Sequence, residues 1–197
     1  RNHGKNVMLF MDSVTRFAMA QREIGLSVGE PPTTRGYPPS VFSELPRLLE
    51  RAGPGREGEG TITALFTVLV EGGDMDEPVA DAVRGIVDGH IVLERKLAEK
   101  GHFPAVQVLK SISRMAPQCY DEEQHLSVTE ARSLLSTYDD MEELIRLGAY
   151  KEGSDPKTDK AIRHMPKLES FHKQSPKDHT APAESFSSLA DALKGNG

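Results

Sequence analysis

Asp12 closes the apolar run Val7-Met8-Leu9-Phe10-Met11, and Arg16 follows it one helical turn later. Five apolar residues in a row read as a strand buried on both faces of a parallel sheet. The acid then falls at the strand's carboxyl end, where open α/β sheets bind their ligands. In P-loop nucleotide hydrolases an acid in that place helps hold Mg²⁺. The same pattern also suits a core strand that runs into a helix capped by Asp12 or Ser13. On pattern alone the cap is the favoured reading, and only residues further on reverse that. Arg16 should share a face with Asp12. It either orients that acid or a neighbouring one, or forms a local ion pair, and spacing does not choose.

Ser111-Ile112-Ser113-Arg114 is a second candidate. It follows a short extended stretch near a domain edge. From there a guanidinium can reach a neighbouring subunit's site and stabilise charge on a transferring phosphoryl group. The alternative is an arginine bound to helix-end carbonyls or to a surface acid, and without context that alternative wins. The histidines at positions 3, 90, 102, 125, 164, 172 and 179 show no paired metal-ligand spacing. Asp139, Asp140, Glu142 and Glu143 read as a solvated face, with a partner surface as the sharper alternative. A Gly-x-x-x-x-Gly-Lys-[Ser/Thr] phosphate cradle occurs nowhere in the sequence.

The elements that must position these residues alternate between strand and helix. A helix is expected from Ser13 to Leu26, with Phe17, Ala20 and Ile24 inward and Gly25 and Gly29 weakening its end. Pro31 to Ser40 is a stiff proline-rich loop. A second helix, Val41 to Ala52, has Glu44 supporting its start and a kink at Pro46. After a glycine-rich loop, Thr61 to Val70 reads as a second buried strand. An acidic turn then leads to a helix over Val79 to Val87. Gly89 to Leu93 and Phe103 to Leu109 read as further extended pieces around a short helix, Arg95 to Lys100. This is α/β with a mainly parallel sheet. Past Pro117 the period becomes helical, over Thr129–Leu147 and Pro156–Phe171. We place α/β structure over 1–118, a helical domain over 119–172 and a flexible tail over 173–197. Within the tail, Gln174 to Pro182 is polar and reads as disordered, and Phe186–Leu193 as a last short helix.

Composition agrees with a soluble globular chain of 197 residues, 27% of them charged. The net charge of −6 argues against a nucleic-acid-binding surface. Cys119 is the single cysteine, which excludes an intramolecular disulfide. No apolar run is long enough to span a membrane as a helix, and no signal peptide is visible. The chain starts Arg1-Asn2-His3-Gly4 just before a strand, so a fragment of a longer protein is expected.

Several long stretches together resemble one family. Phe10-Met11-Asp12-Ser13-Val14-Thr15-Arg16-Phe17-Ala18 and Gly29-Glu30-Pro31-Pro32-Thr33-Thr34-Arg35-Gly36-Tyr37-Pro38-Pro39-Ser40-Val41-Phe42 look like the flagellar and type III secretion export ATPases. Asp88 to Leu93, Ser111 to Arg114 and Leu147-Gly148-Ala149-Tyr150-Lys151-Glu152-Gly153-Ser154-Asp155 fit too. That family is related to the subunits of rotary ATP synthases, and within it the flagellar branch is preferred.

The resemblance implies a RecA-like P-loop NTPase core followed by an α-helical C-terminal domain, working as a homohexamer. It implies ATP and Mg²⁺, and hydrolysis that helps unfold export substrates and release chaperones. The place implied is the cytoplasmic face of the membrane export gate, with a central stalk and regulator proteins as partners. Asp12 matches the Walker-B acid, and Arg114 matches the arginine offered to the neighbouring subunit's γ-phosphate. Phe103, before Pro104, matches the aromatic that packs on adenine. Arg16 matches a structural arginine beside the Walker-B strand. The family's N-terminal barrel, P-loop lysine and catalytic glutamate all precede that strand. The chain therefore reads as the C-terminal half, expected not to hydrolyse ATP by itself. Two other readings stand beside it. One is a subunit of a proton- or sodium-translocating rotary ATPase, which the Pro31–Ser40 and Ser111–Arg114 segments disfavour. The other is a non-catalytic ring or adaptor protein. A P-loop encoded upstream of Arg1 would support the export enzyme, and a start codon there the adaptor.

Overall fold

The structure, a computed structural model, describes residues 1–194. The chain packs as two units divided between Asp88 and Gly89.

In the first unit β1 (Val7–Met11) leads through Ser13 into α1 (Val14–Ser27). A 3-10 turn at Thr34–Gly36 precedes α2 (Pro39–Leu49), then β2 (Gly53–Pro54), β3 (Thr61–Phe66), a 3-10 turn at Glu71–Gly73 and α3 (Pro78–Ile86). The sheet order is β1-β3-β2, with β1 parallel and β2 antiparallel to β3. β1 is not buried on both faces: Val7, Met8, Leu9 and Phe10 are all exposed, Phe10 at 71%. The reason is its place, since it pairs with β3 alone among the described strands. The core lies instead between the helices, where Val14, Ala18, Val41 and Leu45 are fully buried and joined by Leu49, Val79 and Val83. β3 ends at Phe66 rather than Val70, because its partner strand turns into α1 there.

Three local expectations change. The inward face of α1 buries Val14, Ala18 and Gly25 and packs Phe17 against the core as expected, whereas Ala20 and Ile24 are exposed. Its small residues bring α1 close to the start of α2, where a Cβ on Gly25 would lie 2.7 Å from Pro38 Cγ. α2 starts at Pro39, a residue that needs no N–H partner in the first turn. Its start is stabilised from a distance, since the Glu30 carboxylate accepts the Ser40 N–H at 3.2 Å. Glu44, expected in that role, pairs with Arg47 at 2.6 Å. The helix runs through Pro46.

The second unit begins with β4 (Gly89–His90), α4 (Arg95–Glu99), β5 (Ile112–Ser113) and α5 (Ala116–Cys119). β4 and β5 pair antiparallel, so the parallel character of the fold rests on β1 and β3. Residues 103–109 form no ladder beyond one bridge, Val106 to Leu93. α6 (Glu122–Arg146), α7 (Pro156–His172) and α8 (Pro182–Leu193) then pack together. α6 starts seven residues before its apolar period suggests. Asp121 and Gln124 form a reciprocal capping box, and Glu122 and Glu123 favour the positive helix start. The expected flexible tail is corrected over residues 182–193. α8 buries Leu189 and Ala192 in a core with Leu134, Leu135, Ala161 and Leu168. Positions 195–197 of that tail lie outside the described residues.

The motif Leu147 to Asp155 closes the α6–α7 connection. Asp155 caps α7, accepting from the Thr158 hydroxyl at 2.6 Å and from the N–H groups of Thr158 and Lys157. The Tyr150 hydroxyl reaches Asp159 Oδ1 at 2.8 Å.

Two outcomes follow. Gly25→Ala normally favours a helix by up to about 1 kcal/mol, but here the new methyl overlaps Pro38, and overpacking costs about 1–3 kcal/mol. Thermal melts of the full-length protein should therefore show a loss of stability; a gain would mean that the contact yields freely. The second concerns acid. The Thr158 hydroxyl, then the Thr158 and Lys157 amides, hold the Asp155 carboxyl below its ordinary value of 3.8. A depressed carboxyl contributes stability above its unfolded pKa and loses it as pH falls through the folded one. Asp155→Ala should lower the melting temperature at neutral pH, and the gap to wild type should close as pH drops below 3.8. A gap independent of pH would remove the charge from the argument.

Candidate functional site

Register places the first site. Because Met11 pairs with Phe66, Asp12 comes to lie beside Thr67. Thr67 N–H donates to Met11 O at 3.0 Å, and Val14 N–H donates to Thr67 O at 2.9 Å. The Thr67 hydroxyl donates to Asp12 Oδ1 at 2.6 Å. That leaves Asp12 Oδ2 without a partner among the described residues, on an exposed carboxylate at the carboxyl end of β1. The peptide bond between Asp12 and Ser13 is cis. Ser13 is buried and caps α1, its hydroxyl accepting the Arg16 N–H at 3.3 Å. Sequence offered two roles for one position, and the structure divides them between neighbours: Ser13 caps and Asp12 stays open. One turn further, Thr15 clasps Leu69, accepting its N–H at 2.8 Å.

Arg16 is exposed, and its side chain makes no ion pair or hydrogen bond among the described residues. The orienting partner of Asp12 is therefore Thr67. Thr67 was not singled out in the sequence, yet alignment of two parallel strands would have found it.

The donor set suits Mg²⁺ in one way. Mg²⁺ commonly sits on one or two carboxylates with waters and substrate phosphates. A single free carboxylate oxygen fits that arrangement. Among the described residues no group of three or more His, Cys, Asp or Glu side chains could hold an ion alone.

Phe103 and Arg114 belong to the second unit. Phe103 is 52% exposed, and an exposed aromatic side chain can stack. Its chain is fixed from both sides: His102 N–H donates to Leu97 O at 2.9 Å, and Glu94 N–H to Ala105 O at 2.8 Å. The peptide bond from Phe103 to Pro104 is cis. Pro104 forms one wall of a cavity of about 460 Å³, with Phe171, His172, Gln174 and Ser185 among the others. Burial, and then the charge of His102, push His172 below the ordinary histidine pKa.

Arg114 follows β5 and is exposed, with no side-chain partner among the described residues. Main-chain carbonyls are bound instead by Arg132, which donates to Val108 O at 3.0 Å and Leu109 O at 3.4 Å in the turn before β5. The sequence singled out Arg114 and left Arg132 unremarked, because the carbonyls that Arg132 reaches lie more than twenty positions away. Among the described residues no helix is long and apolar enough to cross a membrane.

Comparison with known proteins gives this arrangement a family. Residues 1–113 match the model of the ATP synthase alpha/beta family, nucleotide-binding domain. Residues 120–191 match the T3SS EscN ATPase C-terminal domain. The chain is 58% identical to the flagellum-specific ATP synthase of Bacillus subtilis, over 100% of its own length and 44% of that relative. With the flagellum-specific ATP synthase of Caulobacter vibrioides it shares 57% identity, over 98% of the chain and 45% of the relative. The chain thus spans less than half the length of these curated relatives. Among solved structures, the assembled ATPase EscN of the enteropathogenic E. coli type III secretion system superposes with a TM-score of 0.93 at 47% identity, covering 98% of this chain and 47% of that one. EscN in complex with its central stalk EscO gives 0.85 at 46% identity, over 98% and 45%. The chain belongs to the ATP synthase alpha/beta family, in its flagellar and type III secretion ATPase branch.

Proposed function

We propose that the full-length protein hydrolyses Mg²⁺-bound ATP to drive flagellar or type III protein export. The observation that carries this reading is the Asp12 carboxylate at the end of β1, held through one oxygen by Thr67 and open at the other. In that place Asp12 serves as the Walker-B acid, its free oxygen holding Mg²⁺ against the nucleotide phosphates. Phe103 offers its ring to the adenine, and Arg16 lies beside the Walker-B strand as a framework residue. In the full-length protein we read the functional domain change near residue 118, a reading supported by the gap between the two family matches, although the chain packs as units divided between Asp88 and Gly89. The protein works as a homohexamer, at the inner face of the cytoplasmic membrane. Its partners are a central stalk and regulator, export-gate membrane proteins, chaperones and the exported substrates. The flagellar relatives, at 57% and 58% identity, support the flagellar branch.

Arg114 acts in trans on this reading. Its guanidinium is exposed and uncommitted within its own unit, and stabilising charge on the transferring phosphoryl group by such a finger is worth roughly 10³–10⁵ in rate.

Asp12→Asn in the full-length ATPase should keep the fold and Thr67's acceptor while removing most Mg²⁺-dependent turnover and export. Near-normal hydrolysis would take Asp12 out of the metal site. Arg114 is tested by mixing. Rings formed from inactive Arg114→Ala and inactive Asp12→Asn subunits contain some interfaces with both groups intact, so activity should partly return. No return in demonstrably mixed rings would end the trans assignment.

A further inference from the structure

We propose that Gln174 is a positioning residue for the nucleotide base, acting through its main-chain N–H on Phe103. This rests on the reading of Phe103 as the base-stacking aromatic. The Gln174 N–H donates to Phe103 O at 2.8 Å, across 71 positions of sequence. It is the contact by which the segment after α7 reaches the loop that carries the ring.

The physical need for it is specific. Phe103 is half exposed and belongs to neither core cluster, so side-chain packing does not fix its ring. Its position is inherited from the main chain. The neighbouring bonds at His102 and Ala105 tie the stretch down on either side. The Phe103 carbonyl itself is tied by Gln174.

The donor is well supported in turn. Lys173 N–H closes the end of α7 on Ser170 O at 3.2 Å. Asp178 then folds the next turn, accepting the Ser175 N–H at 2.7 Å. Gln174 is the residue between a helix end and a closed turn, so its N–H is aimed by both. It also lines the same cavity as Pro104, the residue joined to Phe103. The helical part of the chain thereby reaches the base without touching phosphate or metal.

A backbone hydrogen bond is worth a factor of about 3–10 in an equilibrium it biases. In the full-length ATPase, Gln174→Pro deletes the N–H, whereas Gln174→Ala keeps it. Gln174→Pro should weaken Mg²⁺-ADP binding and raise KM for ATP by about three- to tenfold, with kcat retained. Gln174→Ala should leave both near wild type. Equal damage from the two variants would assign the effect to the side chain and overturn the proposal. Phe103→Ala is the control for the underlying reading: if it leaves Mg²⁺-ADP binding intact, the reading of Phe103 has failed, not the tie to Gln174. Should Gln174→Pro fail to fold, the unaltered protein still decides. Linkage is reciprocal, so Mg²⁺-ADP must slow hydrogen exchange at the Gln174 amide more than at Ser175, whose partner is Asp178. Equal or absent protection overturns the proposal.

Discussion

The hydrogen bond from Thr67 to Asp12 settles what the end of β1 can do. A carboxylate at the start of a helix has an attractive alternative, which is to accept the free N–H groups of the first turn. An Asp12 engaged that way would present no oxygen to a ligand. Two features prevent it. Ser13 takes the cap position and supplies its own hydroxyl, and Thr67 holds Asp12 Oδ1 at 2.6 Å, a length typical of a charge-assisted bond. The parallel register makes both possible, because the ladder's last pair puts Thr67 level with Asp12. The clasp between Thr15 and Leu69 continues the same alignment past the strand end. Strand pairing, helix capping and the open carboxylate are thus one arrangement.

Packing in the first unit follows from how small α1 is on its inner face. Ala18 and Gly25 let the start of α2 approach, and the fully buried Val41 and Leu45 fill the space between the helices. The proline-rich loop before α2 is closed by polar contacts. Tyr37 O accepts both the N–H and the hydroxyl of Thr33, and Arg22 lies over the Tyr37 ring at 5.4 Å. Arg35 adopts a left-handed conformation, φ 49°, and bridges to Asp74 at 2.7 Å and Glu77 at 3.6 Å. That pair holds the Asp74 carboxyl below its usual range and raises the Arg35 guanidinium. These exposed ion pairs order a loop more than they stabilise a fold.

Sequence reading recovered most of the element order because helix period and turn residues are local. The cap of α1, offered at Asp12 or Ser13, acts over a few residues and falls at Ser13. Sequence reading failed where an outcome depends on distant neighbours. A run of apolar residues cannot report that β1 has one strand partner among the described residues. On the inner face of α1 the sequence finds Phe17 but not Ala18 and Gly25, because glycine and alanine carry little hydrophobic signal although close approach selects them. Glu30 lies ten residues from the N–H it accepts, so no local motif reveals it. α8 was underrated for a similar reason. Its approach is polar, and the core it joins comes from α6 and α7. The site residues themselves came from resemblance, and the geometry adds the partners that resemblance did not supply.

The candidate groups are held in place to very different degrees, and the difference suits the tasks proposed for them. Asp12 is fixed by a bond to its own carboxylate. A metal ligand must be fixed in this way, since coordination distances tolerate little error. Phe103 is fixed only through its main chain. Stacking on a flat base tolerates sliding, so a pinned backbone and a free ring suffice. Arg114 is anchored only through the neighbouring main chain at Ser113, and its side chain has no partner among the described residues. Ordering a long side chain costs up to about 2 kcal/mol of rotamer entropy, and nothing in the unit offsets that cost beforehand. A group left so free adds little to ground-state order. It gains most where charge concentrates on a phosphoryl group, and an arginine offered from one subunit to another meets that condition only when an interface brings nucleotide to it.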